Sequence, residues 1–210
     1  MIGLGLPAGE LTVLCIGAHP DDIEIGCGGT LLALGAARPI SAHCVVLTST
    51  AERRAEAEEA AASFLPGSTI DVLDLPDGRL PAHWSTVKNQ LESVATSVTP
   101  HVIFAPRRDD AHQDHRLVAE LATTVWRDSL VLHYEIPKWD GDFGQVTHYV
   151  PVPADLARRK VEQLDKSYPS QVVRDWWDEE TFLGLMRLRG VECRNRYAEG
   201  FVVDKTTISF

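Results

Sequence analysis

Short runs of apolar residues alternate along the chain with longer stretches in which apolar and charged residues mix. The run at 11–18 is almost wholly apolar, as in a strand buried on both faces, and the run at 101–106 repeats this pattern. The stretch 51–62 is instead rich in Ala, Glu and Arg, which favour a helix. Strands that alternate with helices in this way predict a parallel sheet covered by helices.

The predicted elements define an α/β fold with a Rossmann-like, mostly parallel sheet and helices on both faces. A chain of 210 residues suits one such core, so we expect a single domain over residues 1–210. We expect the part from about 137 to 210 to elaborate a substrate cleft, since 137–146 is the longest loop-like passage. The predicted strands are 11–18, 41–49, 70–75, 101–106, 130–136, 147–152 and 199–203, and the predicted helices are 27–37, 52–64, 83–98, 113–127, 154–167 and 178–190.

Composition and charge exclude several classes of protein. The formal net charge of -10 argues against a broad nucleic-acid-binding surface, which needs a basic patch. No segment approaches the ~18 consecutive apolar residues of a transmembrane helix, so we expect no membrane insertion. Residues 1–10 lack the positively charged start of a signal peptide, and we therefore expect a cytoplasmic protein.

The four cysteines are scattered and include no C-x-x-C pair. This spacing indicates neither a thiolate zinc site nor a disulfide framework. Cys15 and Cys44 lie within predicted strands, where we expect them to be small buried apolar residues.

Two clusters of histidine and aspartate follow two of the predicted strands. Residues 19–22 read His-Pro-Asp-Asp after the first strand, and residues 112–115 read His-Gln-Asp-His after a later one. Open α/β proteins build their sites at the carboxyl ends of strands. Imidazole and carboxylate are ligands of catalytic zinc, which commonly has three protein ligands and a water. His112 and His115 share one face if the following helix begins near Asp110. The sequence therefore predicts a metal-dependent hydrolase.

A glycine cluster, Gly-Cys-Gly-Gly-Thr at 26–30, comes after the first His/Asp cluster. Its spacing is not the G-x-G-x-x-G of a dinucleotide site, and a His-Pro-Asp-Asp loop stands where pyrophosphate would approach the helix. We interpret the glycines as allowing the following helix to pack closely behind the metal loop.

The segments 19–22, 26–30 and 110–115 together resemble the PIG-L (LmbE-like) zinc-dependent N-deacetylases, which remove acetyl from N-acetylglucosamine-type sugars and related amides. At Ile23 the sequence departs from a common form of the motif, with the acidic residue one place later at Glu24, which we expect to be structural. Supporting segments of this resemblance are 75–78, 167–171, 189–191 and 197–201.

The resemblance implies a role for each residue of the two clusters. The implied metal ligands are His19, Asp22 and His115. Asp21 is implied as the general base, which takes a proton from water that the metal has made more acidic. His112 is implied as the electrophile or acid that acts on the oxyanion and the leaving amine. Zinc is the implied metal, although two histidines and one aspartate also suit Fe²⁺ or another divalent ion.

Three further residues have a functional and a structural interpretation. Asp114 is either a catalytic residue that orients one histidine or a first-turn residue favoured by the helix dipole. Arg53 matches a family arginine near the substrate, and the alternative is a solvated arginine at a helix start. Asp77 matches a family position that contacts sugar hydroxyls, and the alternative is a turn-forming aspartate.

The expected function is a metal-dependent hydrolase that releases acetate from an N-acetylglucosamine-type amino-sugar or its conjugate. One alternative is an amidase of the same superfamily that acts on a larger amide, such as a thiol conjugate or an antibiotic precursor. Another is a metal- or nucleotide-binding module without turnover, which would not need Asp21 and His112. The expected partner is a small molecule, with a homo-oligomer left open. The aromatic candidates for stacking on a sugar ring are Trp139, Trp176 and Trp177.

Overall fold

Seven strands form one sheet in the computed structural model of the protein, which describes residue 3 and residues 5–207. The strands are β1 (Leu11–Gly17), β2 (Ile40–Thr48), β3 (Thr69–Leu75), β4 (Val102–Pro106), β5 (Leu130–Tyr134), β6 (His148–Val152) and β7 (Tyr197–Val202). Their order in the sheet is β3-β2-β1-β4-β5-β7-β6. The pairs from β3 to β5 are parallel, and β7 runs antiparallel to both β5 and β6. The predicted α/β fold with a mostly parallel sheet is confirmed.

Helices cover both faces of this sheet. They are α1 (Asp22–Ala37), α2 (Ala51–Phe64), α3 (Trp84–Ala95), α4 (Gln113–Val125), α5 (Ala154–Ser167) and α6 (Glu179–Glu192). A 3₁₀ turn at Leu80–His83 precedes α3. On β1 the buried side chains Leu11, Val13 and Cys15 join the core that contains α1, α2 and α5. The alternate residues Leu14 and Ile16 join the core beneath α3 and α4.

The order of the strands reverses between β1 and β4. From β1 the chain continues to β2 and β3 on one side, and then returns to place β4 and β5 on the other side. The loops that leave β1 and β4 therefore diverge and leave a crevice between them. In open α/β sheets this topological switch point is the usual position of a ligand site.

Helix α1 begins at Asp22, five residues earlier than we predicted, so the glycine cluster lies inside the helix. The prediction that the glycines precede the helix is wrong. The predicted close packing, however, does explain why glycine is present at these positions. A Cβ atom on Gly26 would overlap the ring of Tyr134. A Cβ atom on Gly28 would lie 2.7 Å from the ring of Phe64. Tertiary packing at these positions outweighs the poor helix propensity of glycine.

Helix α4 begins at Gln113, as predicted, so the condition of a helix start near Asp110, under which His112 and His115 would share one helix face, is not met. His112 is the N-cap residue and has an extended backbone. Helix α3 ends at Ala95, three residues before the predicted end. The remaining predicted elements agree with the observed ones to within two residues at each end.

A buried ion pair fixes α1 against the rest of the domain. Lys160 Nζ on α5 lies 2.6 Å from Glu199 Oε1 on β7 and donates to the carbonyl oxygen of Ile25 at 2.6 Å. The Glu199 carboxylate also accepts hydrogen bonds from the backbone N–H groups of Gly29 at 2.9 Å and Thr30 at 2.6 Å. This network holds the helix whose first residue, Asp22, belongs to the predicted metal site.

All four cysteines are free and buried, as the sequence predicts for Cys15 and Cys44. Within the described part of the chain, no helix has both the length and the apolar character needed to cross a membrane.

Candidate active site

The loop between β1 and α1 wraps around the carboxylate of Asp22. Its Oδ2 accepts hydrogen bonds from the backbone N–H groups of Ala18 and His19, both at 2.8 Å. Asp21, the residue before the helix, has the left-handed φ of 98°. A side chain other than glycine adopts this conformation at an energetic cost, and such residues are concentrated at functional sites. The loop is therefore built around two adjacent aspartates with different surroundings.

The side chains of His19, Asp22 and His115 converge. His19 Nδ1 lies 3.1 Å from His115 Nε2 and 3.5 Å from Asp22 Oδ2. His115 Nε2 lies 3.3 Å from Asp22 Oδ1. A tetrahedral zinc site with metal–ligand bonds of about 2.0–2.1 Å separates its ligand atoms by roughly 3.3–3.4 Å. The three predicted ligands thus have the spacing and the donor atoms that suit a divalent metal.

The carboxylates around these histidines favour positive charge. Burial opposes the charged form of His115, but Asp22 and Asp110 outweigh burial and raise its pKa to about 9. In the same way the neighbouring carboxylates, first among them Asp22, raise the pKa of His19 well above its ordinary value despite its burial. Asp110 Oδ2 lies 3.0 Å from His115 Nδ1, on the far side of the ring from the convergence point. A divalent cation would find the same negative surroundings.

Two aspartates contact the other side of the His19 ring. His19 Nε2 lies 3.0 Å from Asp77 Oδ1 and 3.4 Å from Asp114 Oδ2. Asp114 is completely buried and accepts the backbone N–H groups of Gly78 at 2.8 Å and Leu80 at 3.0 Å. Carboxylates in this position fix the tautomer and orientation of a metal-binding histidine. Asp114 additionally anchors the turn that carries Asp77.

His112 contributes one ring nitrogen to the start of α4. Its Nδ1 accepts the backbone N–H of Asp114 at 3.3 Å, so the neutral ring carries its proton on Nε2. The ring lies 4.7 Å from His19 and 4.8 Å from His115 between centroids, and it lines the cleft. Burial, followed by the charge of the two other histidines, lowers the pKa of His112. Ring nitrogens of these three histidines lie within 4.8 Å of one another.

Arg53 reaches the other aspartate of the first cluster. Its guanidinium donates to Asp21 Oδ2 and Glu56 Oε2, both at 2.6 Å, and to the carbonyl oxygen of Pro20. The same group lies 5.2 Å from the centroid of the Tyr168 ring. Burial raises the pKa of Asp21 to about 6, although the charge of Arg53 opposes this shift. Arg53 thus borders the cleft, as predicted, with its guanidinium bound to other residues of the site.

An open cleft of about 690 Å³ is lined by every site residue predicted from the sequence except the buried Asp114. Trp139 is 62% exposed at this cleft, and Trp176 is half-buried there, whereas Trp177 is buried in the core. Only two of the three tryptophans predicted to stack on a sugar are therefore available. Other cleft residues come from the C-terminal part of the chain: Ile136, Lys138, Ser170, Gln171 and Arg174.

Sequence reasoning missed several of the contacts that hold the site together. Asp110, behind His115, stands two residues before the second cluster, and its acidic side chain was a usable signal. Lys138 contacts Asp110 at 3.2 Å from a loop with no recognisable motif. Glu56 is an ordinary helix residue in the sequence, with no motif that would single it out. Gln171 stands in the supporting segment 167–171, but it was not predicted as a site residue.

Comparison with known proteins identifies the family. Residues 14–126 match the PIG-L family, described as GlcNAc-PI de-N-acetylase. An Escherichia coli (strain K12) protein named uncharacterized deacetylase YaiS is 30% identical over 138 residues, covering 60% of this chain and 74% of that protein. A diacetylchitobiose deacetylase from Thermococcus kodakarensis is 31% identical over 121 residues, covering 50% of this chain and 45% of that enzyme. The chain therefore belongs to the PIG-L family, and the predicted deacetylase class is confirmed at this level.

The same fold also occurs in an enzyme whose name describes a different reaction. A 4-carboxy-2-hydroxymuconate hydratase from Pseudomonas putida superposes with a TM-score of 0.78 at 19% identity, covering 95% of this chain and 98% of that one. This likeness supports the fold alone. The family match and the site residues therefore carry the functional argument.

Proposed function

We propose that the protein is a zinc-dependent N-deacetylase that releases acetate from an N-acetylglucosamine-type amino-sugar or a conjugate containing one. The observation that carries the proposal is the convergence of His19 Nδ1, His115 Nε2 and the Asp22 carboxylate at the switch point of the sheet. The two ring nitrogens lie 3.1 Å apart, and each has one Asp22 oxygen at 3.3–3.5 Å. The match to a de-N-acetylase family and the deacetylase names of its relatives support the reaction.

We propose His19, Asp22 and His115 as the metal ligands in preference to the three histidines. Asp22 Oδ1 lies 3.3 Å from His115 Nε2, and Asp22 Oδ2 lies 3.5 Å from His19 Nδ1. His112 already uses Nδ1 at the start of α4, and its Nε2 is left to act on the substrate. When bound, the divalent metal supplies Lewis acidity, which lowers the pKa of a coordinated water towards ~7 and polarises the amide carbonyl.

The remaining residues are proposed to handle protons and charge. Asp21 accepts a proton from the attacking water, whose oxygen bonds to the acyl carbon. His112 donates a hydrogen bond from Nε2 to the oxyanion that forms there. The C–N bond then breaks, Asp21 returns the proton to the amine nitrogen, and acetate and the free amino-sugar leave. Asp114 orients His19, and Arg53 holds the Asp21 carboxylate.

Further features of the protein fit this proposal. Asp77, from the turn that Asp114 anchors, stands at the cleft where it can meet sugar hydroxyls. The part from about 137 to 210 is proposed to complete the substrate cleft, since it supplies six of the cleft residues. Four free thiols are typical of a reducing compartment, which supports a cytoplasmic location. A homo-oligomer remains a prediction.

An acetate-release assay tests the function. Zinc-loaded protein is incubated with N-acetylglucosamine, N,N'-diacetylchitobiose, and nucleotide-linked and glycoside-linked N-acetylglucosamine. Acetate and free amine should appear in equal amounts, and a chelator should abolish both. Tight zinc binding without hydrolysis of any of these amides would contradict the proposal. If the protein instead adds water to an unsaturated acid, as a hydratase does, that activity would replace the proposed function.

A further inference from the structure

Arg174 differs from Arg53 and Lys138, the other cationic residues of the cleft, because it has no carboxylate partner among the residues that the structure describes. Arg53 lies against Asp21, and Lys138 lies against Asp110. Over residue 3 and residues 5–207, no carboxylate oxygen lies within 4.0 Å of the Arg174 guanidinium nitrogens. Arg174 is exposed at the edge of this acidic cleft, and an arginine without a counter-ion among the described residues offers a specific place for an anion.

A chain of hydrogen bonds orients this arginine. Arg174 Nε donates to Gln171 Oε1 at 2.7 Å, and Gln171 Nε2 donates to Ser170 Oγ at 2.9 Å. The Ser170 hydroxyl donates to Glu56 Oε2 at 2.8 Å, and Glu56 also binds Arg53. Gln171 is buried, so its amide is held firmly. The two terminal Nη groups of Arg174 make no hydrogen bond within the described residues.

The exposed indole of Trp139 stands beside the same guanidinium. The Arg174 Cζ atom lies 5.7 Å from the ring centroid, and Trp139 Nε1 donates to Asp175 Oδ1 at 2.8 Å. The indole lies near the face of the guanidinium. Both Nη groups, at the edge of the guanidinium, therefore remain free to donate to acceptors in the guanidinium plane. The 62% exposure of Trp139 leaves apolar surface for the face of a sugar ring.

We propose that Arg174 and Trp139 form a distal subsite that recognises an anionic group, a phosphate or a carboxylate, carried by the moiety attached to the N-acetyl sugar. This inference rests on the proposed function, because it deepens the substrate class of that site. A cleft of about 690 Å³ leaves room beside one sugar ring. The carboxylates of Glu52 and Asp74 line the same cleft, and that of Asp175 binds Trp139. Because Arg53 and Lys138 are already paired, Arg174 is the cation of the described cleft residues that is left to bind an anion.

Binding of matched probes tests the subsite independently of turnover. The probes are methyl N-acetylglucosaminide, N-acetylglucosamine 1-phosphate and the glycolic acid glycoside of N-acetylglucosamine, with calorimetry on the Asp21→Asn protein. At least one anionic probe should bind roughly 10- to 100-fold more tightly than the neutral one, as a charged hydrogen bond implies. Preference for the phosphate or for the carboxylate identifies the source of the anion. The measurement is repeated on zinc-free protein, because phosphate can also bind a metal.

Variants then assign the preference to its residue. Arg174→Gln should abolish the higher affinity for anionic probes than for the neutral probe, and Arg174→Lys should retain part of this preference. The matched control is Arg158→Gln, an exposed position of α5 outside the cleft, which should keep the parent ratio. Equal binding of all probes by the parent, or a preference that survives Arg174→Gln, overturns the inference. Absence of acetate release from every sugar contradicts the proposed function instead, while the binding ratio still decides the role of Arg174.

Discussion

The guanidinium of Arg53 donates hydrogen bonds of 2.6 Å to Asp21 and 2.6 Å to Glu56. The arginine that sequence resemblance places near the substrate therefore lies between the proposed general base and a second buried carboxylate. This contact holds the Asp21 side chain in one orientation beside the metal ligands. We therefore propose Arg53 as a positioning residue, a role that differs measurably from direct substrate binding.

Arg53→Gln should lower kcat about tenfold or more with a smaller change in KM, because a charged hydrogen bond to the general base is lost. Zinc content should stay at the parent value, and Arg53→Lys should restore part of kcat. Arg54→Gln, the next residue on α2, is the matched control and should behave like the parent. A raised KM with unchanged kcat would instead support the substrate-binding role predicted from the sequence.

Asp21→Asn should keep the zinc and lose most of the turnover. The amide cannot accept a proton from water, while His19, Asp22 and His115 are untouched. A general base typically contributes 10²–10⁴-fold in rate, so the loss in kcat should be about that size. Metal analysis and acetate release measure the two effects. Near-normal activity would reassign the base to Asp114 or Glu24.

His115→Ala should lose most of the metal, since it removes one of three ligands whose atoms lie 3.1–3.5 Å apart. Zinc stoichiometry after dialysis against a weak chelator measures this. His112→Ala serves as the matched control and should retain about one equivalent of zinc. Loss of zinc by the control with retention by His115→Ala would exchange the proposed roles of the two histidines.

His112→Ala should lower kcat far more than it raises KM. Its Nε2 proton is proposed to stabilise charge that develops only in the transition state, so binding of the ground state changes little. Removing one donor of this kind typically costs about 10²–10³-fold in kcat. Steady-state kinetics on the best acetylated sugar measure the split. A rise in KM with an unchanged kcat would identify His112 as a residue that only binds the substrate.

The candidate site residues can be selected from the sequence because their motifs follow two strands. Residues 19–22 and 112–115 are obvious clusters, and a parallel sheet brings strand ends to one edge. Which strands are neighbours is decided by tertiary structure: β1 lies beside β4, which places His19 next to His115. Motifs gave no indication of this pairing.

The contacts that escaped prediction join residues far apart in the chain. Glu56 meets Ser170 across 114 positions, and Lys160 meets Glu199 across 39. Neither pair forms a local pattern, because each residue type is common on solvated helices and loops. Arg174 was missed for the same reason: its significance depends on the absence of a counter-ion within the described residues. The start of α1 was missed because glycine is a poor helix former in isolation.

The glycine at position 26 is expected to be required for packing. Gly26→Ala should destabilise the protein by about 1–3 kcal/mol, because the added Cβ overlaps the Tyr134 ring, whose hydroxyl is fixed by a 2.8 Å hydrogen bond to the carbonyl of Ile16. Gly184→Ala is the matched control. It lies within α6 with no atom within 4 Å of an added Cβ, so it should stabilise by up to about 1 kcal/mol. Urea unfolding measures both free energies. Gly26→Ala with a stability at or above that of the parent would mean that the Tyr134 ring moves away without cost.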